Sequence, residues 1–356
     1  MKHITTIAFL LTSLTAQAIL LPFNIINPNA LAQTTYPFIA STRNLFNINT
    51  GERILEGNLS SALTILNSSN CPGELGIYIH GWAADEGHAI EQTERVFLSL
   101  QKSDYDIPLI GLSWDSDIGW NNAKRIANEN GHLLADFIKE FENECPTDTL
   151  RIIAHSLGSR VTVSAIQSLY DNYPHEAVSK IITSVHLLGA AVDDEQVSLD
   201  NQRECLFINI PPLRCTGEAI NLVAKHFYNL YNPEDNLLAP QINPFCPVCV
   251  CPYCSYFEST YYLNENDYPL GGYPIKNIIN VPVNYEEYNV MDEIGLNNDA
   301  NGDGECDLFV REICTIIYTG DNHLGYMGYR SSINHVLLTS SDVMDSVTLD
   351  WRNEIN

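Results

Sequence analysis

From Leu75 onward the chain switches repeatedly between short uninterrupted apolar runs and longer stretches in which apolar residues recur every three or four positions. The first pattern predicts strands buried on both faces, and the second predicts amphipathic helices. Leu75 to Ile79 reads as a strand, and Ala89 to Leu100 as the helix after it, with Val96, Phe97 and Leu100 on one side. Pro108 to Trp114 repeats the strand, and Ala123, Ile126, Ala127, Leu133, Leu134, Phe137 and Ile138 fall at helical spacing. Thr149 to Ala154 is another apolar strand, broken sharply by His155-Ser156-Leu157-Gly158 before a helix from Val161 to Leu169. Ile181 to Leu188 and Phe227 to Tyr231 follow as strands. Such alternation predicts an α/β fold with a mostly parallel central sheet and helices on both faces. Upstream, Pro37 to Asn58 holds short alternating segments around Asn49-Thr50-Gly51 and predicts a hairpin. Between Ala239 and Arg311 the rhythm gives way to prolines, tyrosines, four close cysteines and an acidic Asn/Gly/Asp loop, so residues 240–311 read as an insertion in one large domain, 33–356. The strand pattern returns at Ile313 to Tyr318, just before Thr319-Gly320-Asp321-Asn322-His323.

Composition narrows the setting. A chain of 356 residues with 45% hydrophobic content can bury a sizeable core. Residues 1–32 resemble an export signal: Lys2 and His3, an apolar run through Leu21, then Ala30-Leu31-Ala32 before Gln33. An earlier cleavage near Ala16-Gln17-Ala18 and an uncleaved anchor are the other readings of this segment. Pro22 to Asn29 is too polar to extend the run into a span, so no stable membrane insertion is expected once the signal is removed. All ten cysteines lie downstream of the signal, as expected of five disulfides in an oxidising, extracytoplasmic compartment. A formal charge of −26 repels phosphate backbones and anionic membrane surfaces, which argues against nucleic-acid partners.

The sharpest chemical signal is Ala154-His155-Ser156-Leu157-Gly158. A strand that turns tightly into a helix holds a serine hydroxyl proud of the sheet, and only small flanking residues tolerate the turn. The helix N-terminus beyond Ser156 aims backbone N–H groups at an oxygen that becomes negative there. An ordinary helix-capping serine is the alternative. Ser113, in Gly111-Leu112-Ser113-Trp114-Asp115, has a neighbour too bulky for such a turn and reads as structural. The stretch from about Leu75 to Tyr329, residues 240–311 apart, resembles the α/β-hydrolase family. The narrower likeness is to lipase-like members that carry a Ser-Trp-Asp-Ser strand end before A-H-S-L-G. The resemblance implies an oxyanion hole formed by the N–H of Leu157 and one from His80-Gly81-Trp82, that of Trp82 or of Ala83.

A serine needs a histidine to take its proton, and that histidine needs a carboxylate to fix its tautomer. In this fold the chain order is serine, acid, histidine. Only His323 and His335 lie beyond the acid candidates; His323 resembles the His-x-x-Tyr region of lipase-like members, whereas His335, within Ile333 to Leu338, reads as part of a packing helix. His155 is expected to point away from the Ser156 hydroxyl and either to pack or to support the site from behind, and His80 to support the oxyanion loop. Asp235, the expected acid, follows the strand Phe227 to Tyr231 in a loop of the kind that presents the family's acid. Asp193, after the preceding strand, stands where pancreatic-type lipases keep theirs, and either aspartate can instead cap a turn.

Asp299, Asn301, Asp303, Glu305 and Asp307 place oxygen donors at alternate positions of a calcium-type loop, with Gly304 at its sharp turn. Position twelve departs, with Val310 where a bidentate Glu is usual, although Glu312 is close by. Such an ion would brace the insertion between Asp235 and His323 rather than take part in chemistry, and a solvated acidic turn is the alternative. Cys246, Cys249, Cys251 and Cys254 have zinc-like spacing but in an exported chain read as disulfides. The family's sheet makes neighbours of the strands after Cys71 and Cys145, which implies a bond between them; Cys205 with Cys215 and Cys306 with Cys314 are the economical local pairs. Tyr256, Phe257, Tyr261, Tyr262 and Tyr268 would make the insertion a lid or substrate wall. Asn58 and Asn67 stand in glycosylation sequons.

The sequence thus predicts a secreted serine hydrolase acting on a small-molecule ester or lipid, with no catalytic cofactor. A secreted amidase or peptidase of the same fold, or a non-catalytic calcium-stabilised binding protein, are the other readings, since fold does not choose a substrate.

Overall fold

The computed structural model describes residues 37–59, 71–199, 215–233, 235, 238, 269–275, 280–294, 323, 325–327, 329–330, 337–339 and 342–355. Its centre is a seven-stranded sheet, every described pairing parallel, in the order β1-β3-β2-β4-β5-β6-β7. The strands are β1 Phe38–Ser41, β2 Glu74–Ile79, β3 Leu109–Ser113, β4 Thr149–His155, β5 Ile182–Leu188, β6 Ala224–Tyr231 and β7 Tyr285–Asn289. Helices α1 Glu86–Lys102, α2 Trp120–Glu144, α3 Gly158–Asn172, α4 His175–Val178, α5 Gly217–Val223 and α6 Asp342–Ile355 make the crossovers and cover the sheet.

Side-chain alternation along the strands decides what lies on each face. Leu75, Ile77 and Ile79 of β2 join Leu150, Ile152 and Ala154 of β4 in one core, roofed by α2, α3 and α5. Tyr78 and Ile153, one residue out of phase, join Leu188 and Leu230 in a second core under α1 and α6, with Val96, Phe97 and Trp351. Because both faces are covered, the central strands are apolar almost throughout, and this is why they were legible as uninterrupted runs. Trp351 is wholly buried; a side chain of that size covers roughly 150–250 Å², an upper bound of about 4–6 kcal/mol.

The second face also contains a buried polar knot. Arg151, on β4, pairs with Glu74 of β2 and Glu354 of α6, donates to Ser184 Oγ at 3.0 Å and lies 5.1 Å from the Trp351 ring. Beside it His186 meets Asp350 at 3.1 Å, and Tyr228 Oη donates to Glu354 at 3.1 Å. These contacts dock α6 on the sheet by directional bonds as well as by burial.

The disulfide Cys71–Cys145 ties the start of β2 to the chain entering β4, as the resemblance implied. It spans 74 positions, a loop whose closure is worth up to about 4 kcal/mol in the chain-entropy account. Cys215 is also disulfide-bonded, while its expected partner Cys205 lies outside the described residues. So do the expected signal, the strand Ile313 to Tyr318, His335, the Cys246 to Cys254 cluster, Cys306 with Cys314, the tyrosines from Tyr256 to Tyr268 and the loop from Asp299 to Asp307. No described helix is long and apolar enough to cross a membrane.

Three expectations are corrected. The hairpin near the N-terminus amounts to a single antiparallel bridge, Phe46 to Arg53, and its first segment, β1, instead runs parallel to β3 at the edge of the main sheet. A two-stranded hairpin is at best marginally stable by itself, whereas pairing with β3 joins these residues to a seven-stranded sheet. The span read as an insertion nevertheless supplies β7 and lays Leu270 and Gly271 against Val192 and Ala190 through backbone bonds of 2.9 Å. Leu337 and Leu338, expected to end a packing helix, lie instead in a short strand, Leu337–Thr339 (β9), paired antiparallel with β8, Tyr329–Arg330.

Candidate active site

In the strand order, β3 lies to one side of β2 and β4 to the other, so the chain reverses its direction of growth between β2 and β4. A parallel sheet opens a crevice at the carboxyl ends of strands flanking such a reversal. Those two ends here are His80-Gly81-Trp82 and His155-Ser156.

Ser156 has φ +53°, a left-handed backbone on a non-glycine residue. The surroundings hold it there: its N–H donates to Leu188 O at 3.0 Å, and its carbonyl accepts from Ala191 at 3.0 Å and Ser159 at 3.1 Å. Strain of this kind persists only when neighbours over-determine it. Two glycines make room. A β-carbon on Gly158 would strike the carbonyls of Ile79 and His80, so α3 can start against β2 only without a side chain there. A β-carbon on Gly81 would come within 2.6 Å of Ser156 Cβ, which shows how closely the loop after β2 crosses the serine.

The histidine and acid meet across 88 positions. His323 Nδ1 lies 2.6 Å from Asp235 Oδ2, with both residues buried. A carboxylate only accepts, so Nδ1 carries the proton and Nε2 is left as the basic nitrogen. Asp235 follows β6, its N–H bonded to Asn232 O and its second oxygen accepting from Leu238 N–H, both at 3.0 Å. Asp193 turns to other partners: it receives a long 3.5 Å contact from Gln196, and burial raises its carboxyl above the usual range against the pull of Arg160 and Lys124.

His155 lies buried against His323. Burial, then the nearby His323, push its pKa well below the ordinary imidazole value, so it stays neutral. Its Nε2–H donates to the carbonyl of His323 at 2.6 Å, and the two rings lie 4.8 Å apart. His323 is thereby fixed by its backbone to the residue preceding Ser156. Met327 adds a second anchor, its carbonyl accepting from Ser99 Oγ of α1 at 3.0 Å. Among the described residues no hydrogen bond joins Ser156 Oγ to the His323 ring; contacts of this type are commonly long before substrate binds.

On the oxyanion side, Leu157 opens α3 and Trp82 follows the glycine that crosses Ser156. Of the two donors implied for the loop, Ala83 gives its N–H to Ser116 O at 3.0 Å. The Trp82 indole donates to Ile118 O at 2.7 Å and meets Trp120 edge-on at 5.5 Å. His80 supports the loop, as expected: burial lowers its pKa to about 3, its Nδ1–H donates to Gly81 O at 2.9 Å, and Nε2 accepts from Trp114 N–H at 3.2 Å. Ser113, set aside as a nucleophile, accepts from Arg43 Nε at 2.8 Å. No part for Ser116 was legible beforehand, although the Ser-Trp-Asp-Ser strand end that contains it was the visible signal.

Residues 60–239, about half of the chain, match the model of a family described as "Alpha/beta hydrolase of unknown function (DUF900)". The chain belongs to that family. This α/β hydrolase has no match among curated proteins. Its fold is similar to solved esterase and lipase structures at low identity. An acetylxylan esterase matches at 13% identity and TM-score 0.28, over 37% of this hydrolase and 68% of that chain. A cutinase of Trichoderma reesei matches at 18% and 0.24, over 37% and 59%. Lipase B of Aspergillus fumigatus matches at 11% and 0.27, over 47% and 39%. The hydrolase thus spans well under two thirds of the last two.

Proposed function

We propose that this family member is a secreted serine hydrolase that cleaves carboxylic esters or lipids through an acyl-enzyme. Ser156 Oγ attacks the ester carbonyl while His323 Nε2 takes its proton, and Asp235 orients the ring and balances its charge. The N–H groups of Leu157 and Trp82 hold the oxygen that becomes negative. His323 then gives the proton to the departing alkoxide. Water, deprotonated by the same histidine, releases the acid and regenerates the serine. Acyl transfer by this route needs no cofactor, and a calcium ion at Asp299, Asn301, Asp303, Glu305 and Asp307 would brace the segment between Asp235 and His323 rather than take part in the chemistry.

The observation that carries the reading is the 2.6 Å contact between His323 and Asp235, held by His155 beside a serine at φ +53°. A fluorophosphonate probe tests it. Wild-type protein is expected to label at Ser156, Ser156→Ala to lose the label, and His323→Ala to lose nearly all of its labelling rate. Folded wild type that does not label would overturn catalysis and favour a non-catalytic binding protein.

A further inference from the structure

Resting on that reading, we propose that Ser116 is a positioning residue for the oxyanion half of the site, holding the loop after β2 so that the Trp82 N–H is aimed before substrate arrives. Ser116 is wholly buried just beyond the end of β3. Its carbonyl accepts from Ala83 N–H at 3.0 Å. Its hydroxyl accepts from Ala84 N–H at 3.2 Å, donates to Ala84 O at 3.0 Å and lies 3.5 Å from His80 Nδ1. One small side chain thus uses both the donor and the acceptor capacity of a hydroxyl on a single stretch of backbone.

What it holds is a conformation that the loop would not choose. Ala83 has φ +60°, left-handed on a residue with a β-carbon, which is sterically unfavourable without compensating bonds. Two residues before Ser116, Trp114 clamps the other end of the loop: its N–H reaches the His80 ring at 3.2 Å and its indole N–H the His80 carbonyl at 3.0 Å. Trp82 is therefore strung between two anchors from one strand end. Donors fixed in advance spare the reorganisation that a mobile loop would undergo at the moment of reaction. A serine retained only for packing would show none of this in its kinetics.

The test compares wild type, Ser116→Ala and the double variant Ser116→Ala/Ala83→Gly on p-nitrophenyl butyrate and with a boronic acid inhibitor, whose tetrahedral adduct places an oxygen where the oxyanion forms. Ser116→Ala is expected to lower kcat by between about tenfold and about a hundredfold, short of the loss from deleting a donor outright. KM should change little, and boronate affinity should fall in parallel with kcat. Ala83→Gly removes the steric objection to positive φ and should restore part of both. Arg43, which donates to Ala84 O at 2.8 Å, keeps the loop attached in all variants. Wild-type kcat in Ser116→Ala overturns the proposal, and so does a lowered Tm with kcat and boronate affinity unchanged. Failure of the underlying reading shows separately, in a wild type that neither hydrolyses the ester nor labels with fluorophosphonate.

Discussion

Asp235 and Asp193 follow neighbouring strands, β6 and β5, and both are buried, yet their surroundings give them different chemistry. Asp235 accepts from a backbone N–H and from His323, so its charge is answered on two sides. Asp193 is held above the ordinary carboxylate range by burial, against Arg160 and Lys124. Asp235→Asn should therefore lower kcat by about 10⁴-fold, because an amide facing Nδ1 no longer selects the tautomer that leaves Nε2 basic. Asp193→Asn should leave kcat/KM at the wild-type level. Steady-state kinetics of the two variants decides between them, and the opposite ranking would move the acid to β5. Ser156 and His323 stand out in the sequence as candidates because a tight turn and chain order pick them out locally. The acid was less sharply marked: a loop likeness favoured Asp235, but chain order alone also admits Asp193, and which loop reaches His323 depends on the fold. The part played by Ser116 and the group that His155 supports were hidden for the same reason, since each is defined by backbone groups far away in sequence.

At the scale of elements, strands covered on both faces announced themselves, and those with an uncovered edge did not. β7, Tyr-Glu-Glu-Tyr-Asn, borders only β6 among the described strands, leaves most of its side chains partly or fully exposed and therefore shows no apolar run. β4 was legible despite Arg151 within it, because its other residues carry the pattern. That arginine makes the strand and α6 depend on each other. Arg151→Met should destabilise the fold by about 3–5 kcal/mol, since it leaves Glu354 buried without its cation. Adding Glu354→Gln should recover part of the loss, whereas mere loss of packing would not be rescued. Urea unfolding of the two variants measures the difference.

Taken as a whole, the molecule keeps several histidines neutral in its interior. Burial lowers His80 to about 3, and lowers His155 and His186 as well, the last against the opposing pull of Asp350. Each binds its proton more readily when unfolded, so the stability gained by keeping it neutral is fully present above about pH 6.5. It is lost as pH falls from there towards the folded values, at up to about 1.4 kcal/mol per pH unit for each histidine. The urea midpoint should therefore drop between pH 6.5 and pH 4.5, and His186→Gln should make that slope shallower. A slope unchanged by the substitution would assign the acid sensitivity elsewhere.

The Arg151 knot has a further consequence, in the time before the fold is complete. Its two ends, Arg151 and Glu354, are 203 positions apart, so at roughly 5–20 residues per second a ribosome needs roughly 10–40 s to pass from one to the other. During that interval α6 does not yet exist to cover β4. A bare apolar strand would invite pairing with other nascent chains, and an inward-pointing charge discourages it. The residue that makes the finished sheet dependent on its last helix therefore also protects the half-made sheet from its neighbours.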